Sequence, residues 1–142
     1  MRALFDVNVL IALLAAAHVG HRAATDWFAK NLKHGWASCP ITENGTARVM
    51  ASAGYTNPFP VAEVLQRLGQ AASAGYHQFW PDDLSLTDTA VFIHTELLGP
   101  KQITDRYLLA LAVKNSGRFV TFDRAIRPTA VVGASAKHLV QV

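Results

Sequence analysis

Ten carboxylates are spread along the 142 residues: Asp6, Asp26, Glu43, Glu63, Asp82, Asp83, Asp88, Glu96, Asp105 and Asp123. Four of them stand where chemistry is usually done. Asp6 ends the apolar run Leu4-Phe5, and Asp123 follows the strand-like run Arg118-Phe119-Val120-Thr121-Phe122. Glu43 and Asp105 fall in the first turns of expected helices, a position that the helix dipole alone favours by about 0.3–1 kcal/mol. A carboxylate closing a buried strand needs partners there. If the four converge, they raise one another's pKa or call for a cation between them. An all-oxygen set without paired His or Cys ligands suits Mg²⁺ or Mn²⁺ rather than zinc. Metal-assisted phosphodiester chemistry is the usual work of such a set, and the neighbouring Arg106 and Arg124 are candidates to hold phosphates.

The elements that must position these acids alternate along the chain. A buried strand reaches Asp6, and the apolar run Val9-Leu10-Ile11-Ala12-Leu13-Leu14 then reads as a helix, with Asn8 a residue type that caps helix starts. A second helix is expected from about Arg22 to Lys33, ended by Gly35 through a left-handed backbone. Trp36-Ala37-Ser38-Cys39 reads as a second strand and Pro40 as the start of a third helix. Gly45 weakens that helix by about 1 kcal/mol relative to Ala, which suggests a close backbone approach. Asn57-Pro58-Phe59-Pro60 breaks the chain. Val61, Val64, Leu65, Leu68 and Ala72 follow with helical apolar spacing, and Gln78-Phe79-Trp80 is a short strand. A helix capped by Thr87 or Asp88 is expected to reach Leu98, and another, capped by Thr104, to run toward Gly117. Strands are expected at 118–122 and, last, at 130–132. The whole, residues 1–142, reads as one α/β domain with a central, mainly parallel sheet.

Composition narrows the class. The chain is 51% hydrophobic and 16% charged with a net charge of +3, ordinary for a soluble globular protein and only weakly suggestive of a polyanionic partner. Its longest apolar stretch, Val9 to Ala17, is too short to cross a bilayer. A lone Cys39 forms no internal disulfide and fits a reducing cytoplasm. Six histidines lack metal-ligand spacing, and Asp82-Asp83 reads as a solvated turn.

Four segments together resemble a known family: Leu4-Phe5-Asp6-Val7-Asn8-Val9-Leu10, Pro40-Ile41-Thr42-Glu43-Asn44-Gly45, the run from Ile103 to Ala112, and Val120-Thr121-Phe122-Asp123. In this order and spacing the chain resembles a PIN-domain ribonuclease, in particular the VapC-type toxins of bacterial toxin–antitoxin pairs. The resemblance implies a three-layer fold with helices on both faces of the sheet. It also implies Mg²⁺- or Mn²⁺-dependent endonucleolytic cleavage of RNA, homodimers, and inhibition by a cognate antitoxin. Its metal-binding acids carry over to Asp6, Glu43, Asp105 and Asp123, with Asn8 and Thr121 as supporting polar positions. There are two departures from the pattern. Asn44-Gly45 follows Glu43 where many members continue with apolar helix formers, and no further acid follows Asp123 closely, so a second metal would bind weakly or only alongside RNA.

Two other functions fit parts of the pattern. Phe5-Asp6-Val7-Asn8 looks like the nucleophile motif of a haloacid-dehalogenase-type phosphatase, with Asp6 as nucleophile. Asn8, however, stands where that chemistry needs an acid to protonate the leaving group. The other is a catalytically inactive binding module, in which the acids hold a metal or the domain only meets a partner.

Overall fold

The computed structural model describes residues 1–142. Five short strands, β1 (Ala3–Phe5), β2 (Trp36–Ser38), β3 (His77–Phe79), β4 (Arg118–Thr121) and β5 (Leu139–Gln141), form one sheet in the order β3-β2-β1-β4-β5. Every neighbouring pair is parallel. Five helices flank it: α1 (Val7–Leu14), α2 (His21–Asn31), α3 (Pro40–Met50), α4 (Val61–Ser73) and α5 (Ile103–Lys114).

The three central strands are almost entirely apolar because helices cover both of their faces. Side chains alternate across the sheet. Leu4, Ala37 and Phe119 pack with Leu108, Leu109 and Leu111 of α5 on one side. On the other, Ala3, Phe5, Trp36 and Val120 pack with Val9 and Leu10 of α1 and Ala24 of α2. A third cluster, Ile11, Ala47, Met50, Val64 and Leu68, joins α1, α3 and α4 beyond the sheet. α5 is buried over seven consecutive residues, Arg106 to Ala112, the pattern of a helix enclosed by its surroundings rather than lying on a surface.

Two glycines do specific work. Gly35 takes φ +75° between α2 and β2, a conformation costly for a residue with a Cβ. Gly45 lies where α3 crosses α1: a Cβ there would sit 2.6 Å from Val7 Cγ2. The helix-weakening glycine is therefore the price of a close crossing.

Several sequence expectations need correction. Thr104 does not cap α5; it lies inside the helix, whose N-cap is Gln102 with no side-chain capping bond. Asn8 does not cap α1. Asp6 does, its Oδ1 accepting a hydrogen bond from the Val7 amide at 2.7 Å, and Asn8 is exposed inside the helix. The helix expected from Thr87 or Asp88 to Leu98 does not form. Asp88 starts one turn, accepting from the amides of Val91 and Phe92, but the Ile93 amide then bonds the Ala130 carbonyl and the Val132 amide bonds that of Val91. Buried Phe92, between half-buried Val91 and exposed Ile93, makes this segment an extended bridge to Val131. That pairing accounts for the strand expected at 130–132, which lies outside the sheet; the fifth strand is Leu139–Gln141 instead. Asp82-Asp83 forms no turn, and of the pair Asp83 is the exposed one. Asp82 Oδ2 accepts from the Ile41 amide at the start of α3, and Asp83 pairs with Lys114 Nζ at 2.6 Å.

Replacing a helix-interior glycine with alanine ordinarily stabilises a helix by about 1 kcal/mol. Gly45→Ala should instead lower the melting temperature, and Gly45→Ala combined with Val7→Ala should recover part of the loss, as thermal denaturation followed by circular dichroism would show.

Candidate active site

In a parallel sheet the carboxyl ends of all strands open on one edge, where α/β proteins commonly bind their ligands. β1 and β4 pair with Phe5 opposite Val120, so the residues that follow, Asp6 and Thr121, come level at that edge. The Thr121 hydroxyl donates to Asp6 Oδ2 at 2.9 Å and accepts from the Asp123 amide at 3.0 Å. One hydroxyl thus ties the acid after β1 to the backbone of the acid after β4. Asp123 Oδ1 accepts from the Ala125 amide at 2.7 Å, and Gln141 of β5 donates through Nε2 to the Asp123 carbonyl at 3.1 Å.

Asp105 reaches the same edge from the first turn of α5. Its carboxyl is pushed up to about 6, first by burial, then by the charges of Asp6 and Asp123, and against the pull of Arg106. Asp6 is raised too, chiefly by burial and further by Asp123, while hydrogen bonds from Thr121 and the Val7 amide oppose the shift. The charges of Asp6 and Asp123 thus bear on Asp105, and that of Asp123 on Asp6, so acids from three elements meet at this edge. No three of the acid, His or Cys side chains stand close enough to grip one ion as they are placed. The donors suit a hard divalent cation in kind: all are oxygens, and their mutual repulsion is what such a cation relieves.

Glu43 belongs to the same edge but is held apart. It does not figure among the charges that raise Asp6 or Asp105. Its Oε1 accepts from the Ser38 hydroxyl at 2.6 Å, and Ser38 Oγ lies 2.8 Å from His77 Nε2. Beyond it, Glu43 lines a groove with Asn44, Ala47, Arg48, Val61 and Leu65.

The two arginines differ. Arg106 is only 5% exposed, forms no ion pair and buries its Nε without a hydrogen-bond partner. Arg124 is exposed on the loop after Asp123. Asn8, exposed, makes no side-chain bond to any of the four acids. Cys39 is fully buried, its thiol pushed up to about 11 by burial, which suits packing and not nucleophilic attack. Sequence reasoning passed over Ser38 and His77. The first has a faint signal, a polar residue ending an apolar strand; the second has none, since 39 residues separate the pair.

A family model described as "PIN domain" matches residues 3–132. The chain belongs to the PIN-domain family, within it to the VapC type. It is 50% identical over 139 residues to Ribonuclease VapC44 of Mycobacterium tuberculosis, covering 98% of each chain. It is 40% identical to Ribonuclease VapC39 of the same species, over 94% of this chain and 96% of the relative. A crystal structure of VapBC2 from Rickettsia felis, bound to a DNA fragment from their promoter, aligns with a TM-score of 0.56 at 16% identity, covering 88% of this chain and 90% of that one. That likeness supports the three-layer fold. No helix is long and apolar enough to cross a membrane.

An aspartate in an unfolded chain ionises near 3.8, whereas folded Asp105 keeps its proton to about 6. The folded state binds more protons in that window, so this group's contribution to stability is present at low pH and lost as pH rises through 6. Asp105→Asn should therefore melt a few degrees above the unsubstituted protein near neutral pH, with the gap closing below about pH 4. Thermal melts across that range provide the measurement.

Proposed function

We propose that this protein is a divalent-metal-dependent endoribonuclease, the toxin of a toxin–antitoxin pair, acting in the cytoplasm as a homodimer and silenced by a cognate antitoxin. The observation that carries the enzymatic part is the meeting of three acids at one edge of the sheet, where the charges of Asp6 and Asp123 help to raise Asp105 and that of Asp123 helps to raise Asp6. Family membership and relatives named as ribonucleases support the substrate class. The VapBC2 structure, a complex named for toxin and antitoxin together, supports the partner.

In this reading Asp6, Asp105, Asp123 and Glu43 hold Mg²⁺ or Mn²⁺. The cation, when bound, supplies a nucleophilic water at neutral pH and a countercharge for the phosphodiester oxygens. Thr121 ties the Asp6 carboxylate to the backbone of Asp123, and the four side chains would draw together around the ion. Asp105, raised only to about 6, is mostly ionised at neutral pH, and a cation would relieve the repulsion that raises it. Arg106, buried without a partner of its own, offers a guanidinium to a phosphate oxygen entering the site. Arg124, exposed, meets phosphates further along the strand. The phosphatase alternative lacks its proton donor, because Asn8 carries no acid and points to solvent.

Asp6→Asn should reduce cleavage of mixed RNA by more than the 10–100-fold that outer-shell changes typically cost, with the melting profile retained. EDTA should stop cleavage and Mg²⁺ or Mn²⁺ restore it. Activity that survives both would refute the metal-site reading. Expression of the chain alone should arrest bacterial growth, and co-expression of its antitoxin should restore it.

A further inference from the structure

We propose that Ser38 and His77 are positioning residues for Glu43, a relay that fixes one of its carboxylate oxygens and leaves the other uncommitted for a divalent cation. This rests on the metal-dependent reading above and assigns a task to two residues that it leaves unused. β2 and β3 pair with Trp36 opposite His77. Paired residues of neighbouring strands point to the same face, as do residues two apart on one strand, so His77 lies beside both Trp36 and Ser38. The Trp36 and His77 rings pack with centroids 4.3 Å apart, which restrains the imidazole.

Proton counting gives the relay its direction. A hydroxyl has one proton, and an ionised carboxylate can only accept. Ser38, 1% exposed, spends that proton on Glu43 Oε1 at 2.6 Å. Its oxygen must then accept from His77 Nε2–H at 2.8 Å, and the imidazole is fixed with its proton on Nε2. No hydrogen bond engages Glu43 Oε2. Glu43 acts electrostatically on His77 and is not among the charges acting on Asp6 or Asp105, so the relay holds this fourth acid on the β3 side of the site. Hydrogen bonds to a ligating carboxylate orient it and tune the ion it binds.

The test is Mn²⁺ binding to the full chain by calorimetry, for the unsubstituted protein, His77→Phe and His77→Gln, each with and without Glu43→Gln. His77→Phe keeps a ring against Trp36 and removes the donor. It should weaken Mn²⁺ about tenfold. His77→Gln, which places an amide N–H near the Nε2 position, should stay within about threefold of the unsubstituted protein. In the Glu43→Gln background His77→Phe should change nothing further. Should His77→Phe fail to fold, Ser38→Ala carries the same comparison. Unchanged Mn²⁺ affinity in His77→Phe, or an equal loss with and without Glu43, would overturn the relay. If Mn²⁺ binding is lost in Asp6→Asn yet intact in His77→Phe, the relay alone fails. If the unsubstituted protein binds no Mn²⁺, the metal-dependent reading fails with it.

Discussion

Asp6 and Thr121 come level because β1 and β4 pair in parallel with Phe5 against Val120, and the candidate site is built outward from that pairing. Burying a carboxylate without hydrogen bonds costs several kcal/mol. Here the Thr121 hydroxyl and the Val7 amide each take one oxygen of Asp6. Burial still outweighs them, and the group stays raised. The same hydroxyl receives the Asp123 amide, so a slip in register between the two central strands would separate two acids at once. It would also turn Phe5 and Val120 away from the α1–α2 layer.

The edge is a place where the fold works against itself. Asp105 is held near 6 by burial and by two like charges, and Arg106 lies buried without an ion-pair partner. Neither arrangement helps the chain to fold. Perturbed groups of this kind gather at functional sites, and in the proposed reading their countercharges would come with a cation and a phosphate. The core explains how the fold carries the strain: α5, which holds both residues, is buried from Arg106 to Ala112 against the central strands.

Much of this was legible in the residues. The first and fourth strands announce themselves as apolar runs followed by single carboxylates, and the helix from Ile103 as an acid in the first turn of an apolar run. The order of the acids along the chain was enough to suggest the family. The segment from Thr87 to Leu98 reads as a helix because Asp88 is a good cap. Whether its first turn propagates depends on Ala130 and Val132, about forty residues away, which compete for the same backbone groups. The last strand was hidden for a related reason: Leu139-Val140-Gln141 is only three residues long and becomes a strand by pairing with β4. Asn8 and Asp6 are both capping types two positions apart, and only the backbone geometry at Asp6 shows which one accepts the amide. The pairing of Ser38 with His77 was out of reach, since their meeting is a product of the β2–β3 register.

The close crossing at Gly45 reaches further than packing. Val7 immediately follows Asp6, and Gly45 comes two residues after Glu43, so that one close contact joins the segments that carry these two acids. Oxygen ligands lie about 2.0–2.1 Å from Mg²⁺ and about 2.3–2.6 Å from Ca²⁺. The spacing that distinguishes the two ions is a few tenths of an ångström, smaller than the displacement one added methyl would force. In the proposed metal site, discrimination by ionic radius would therefore be set in part by an apolar helix contact that touches no ligand atom.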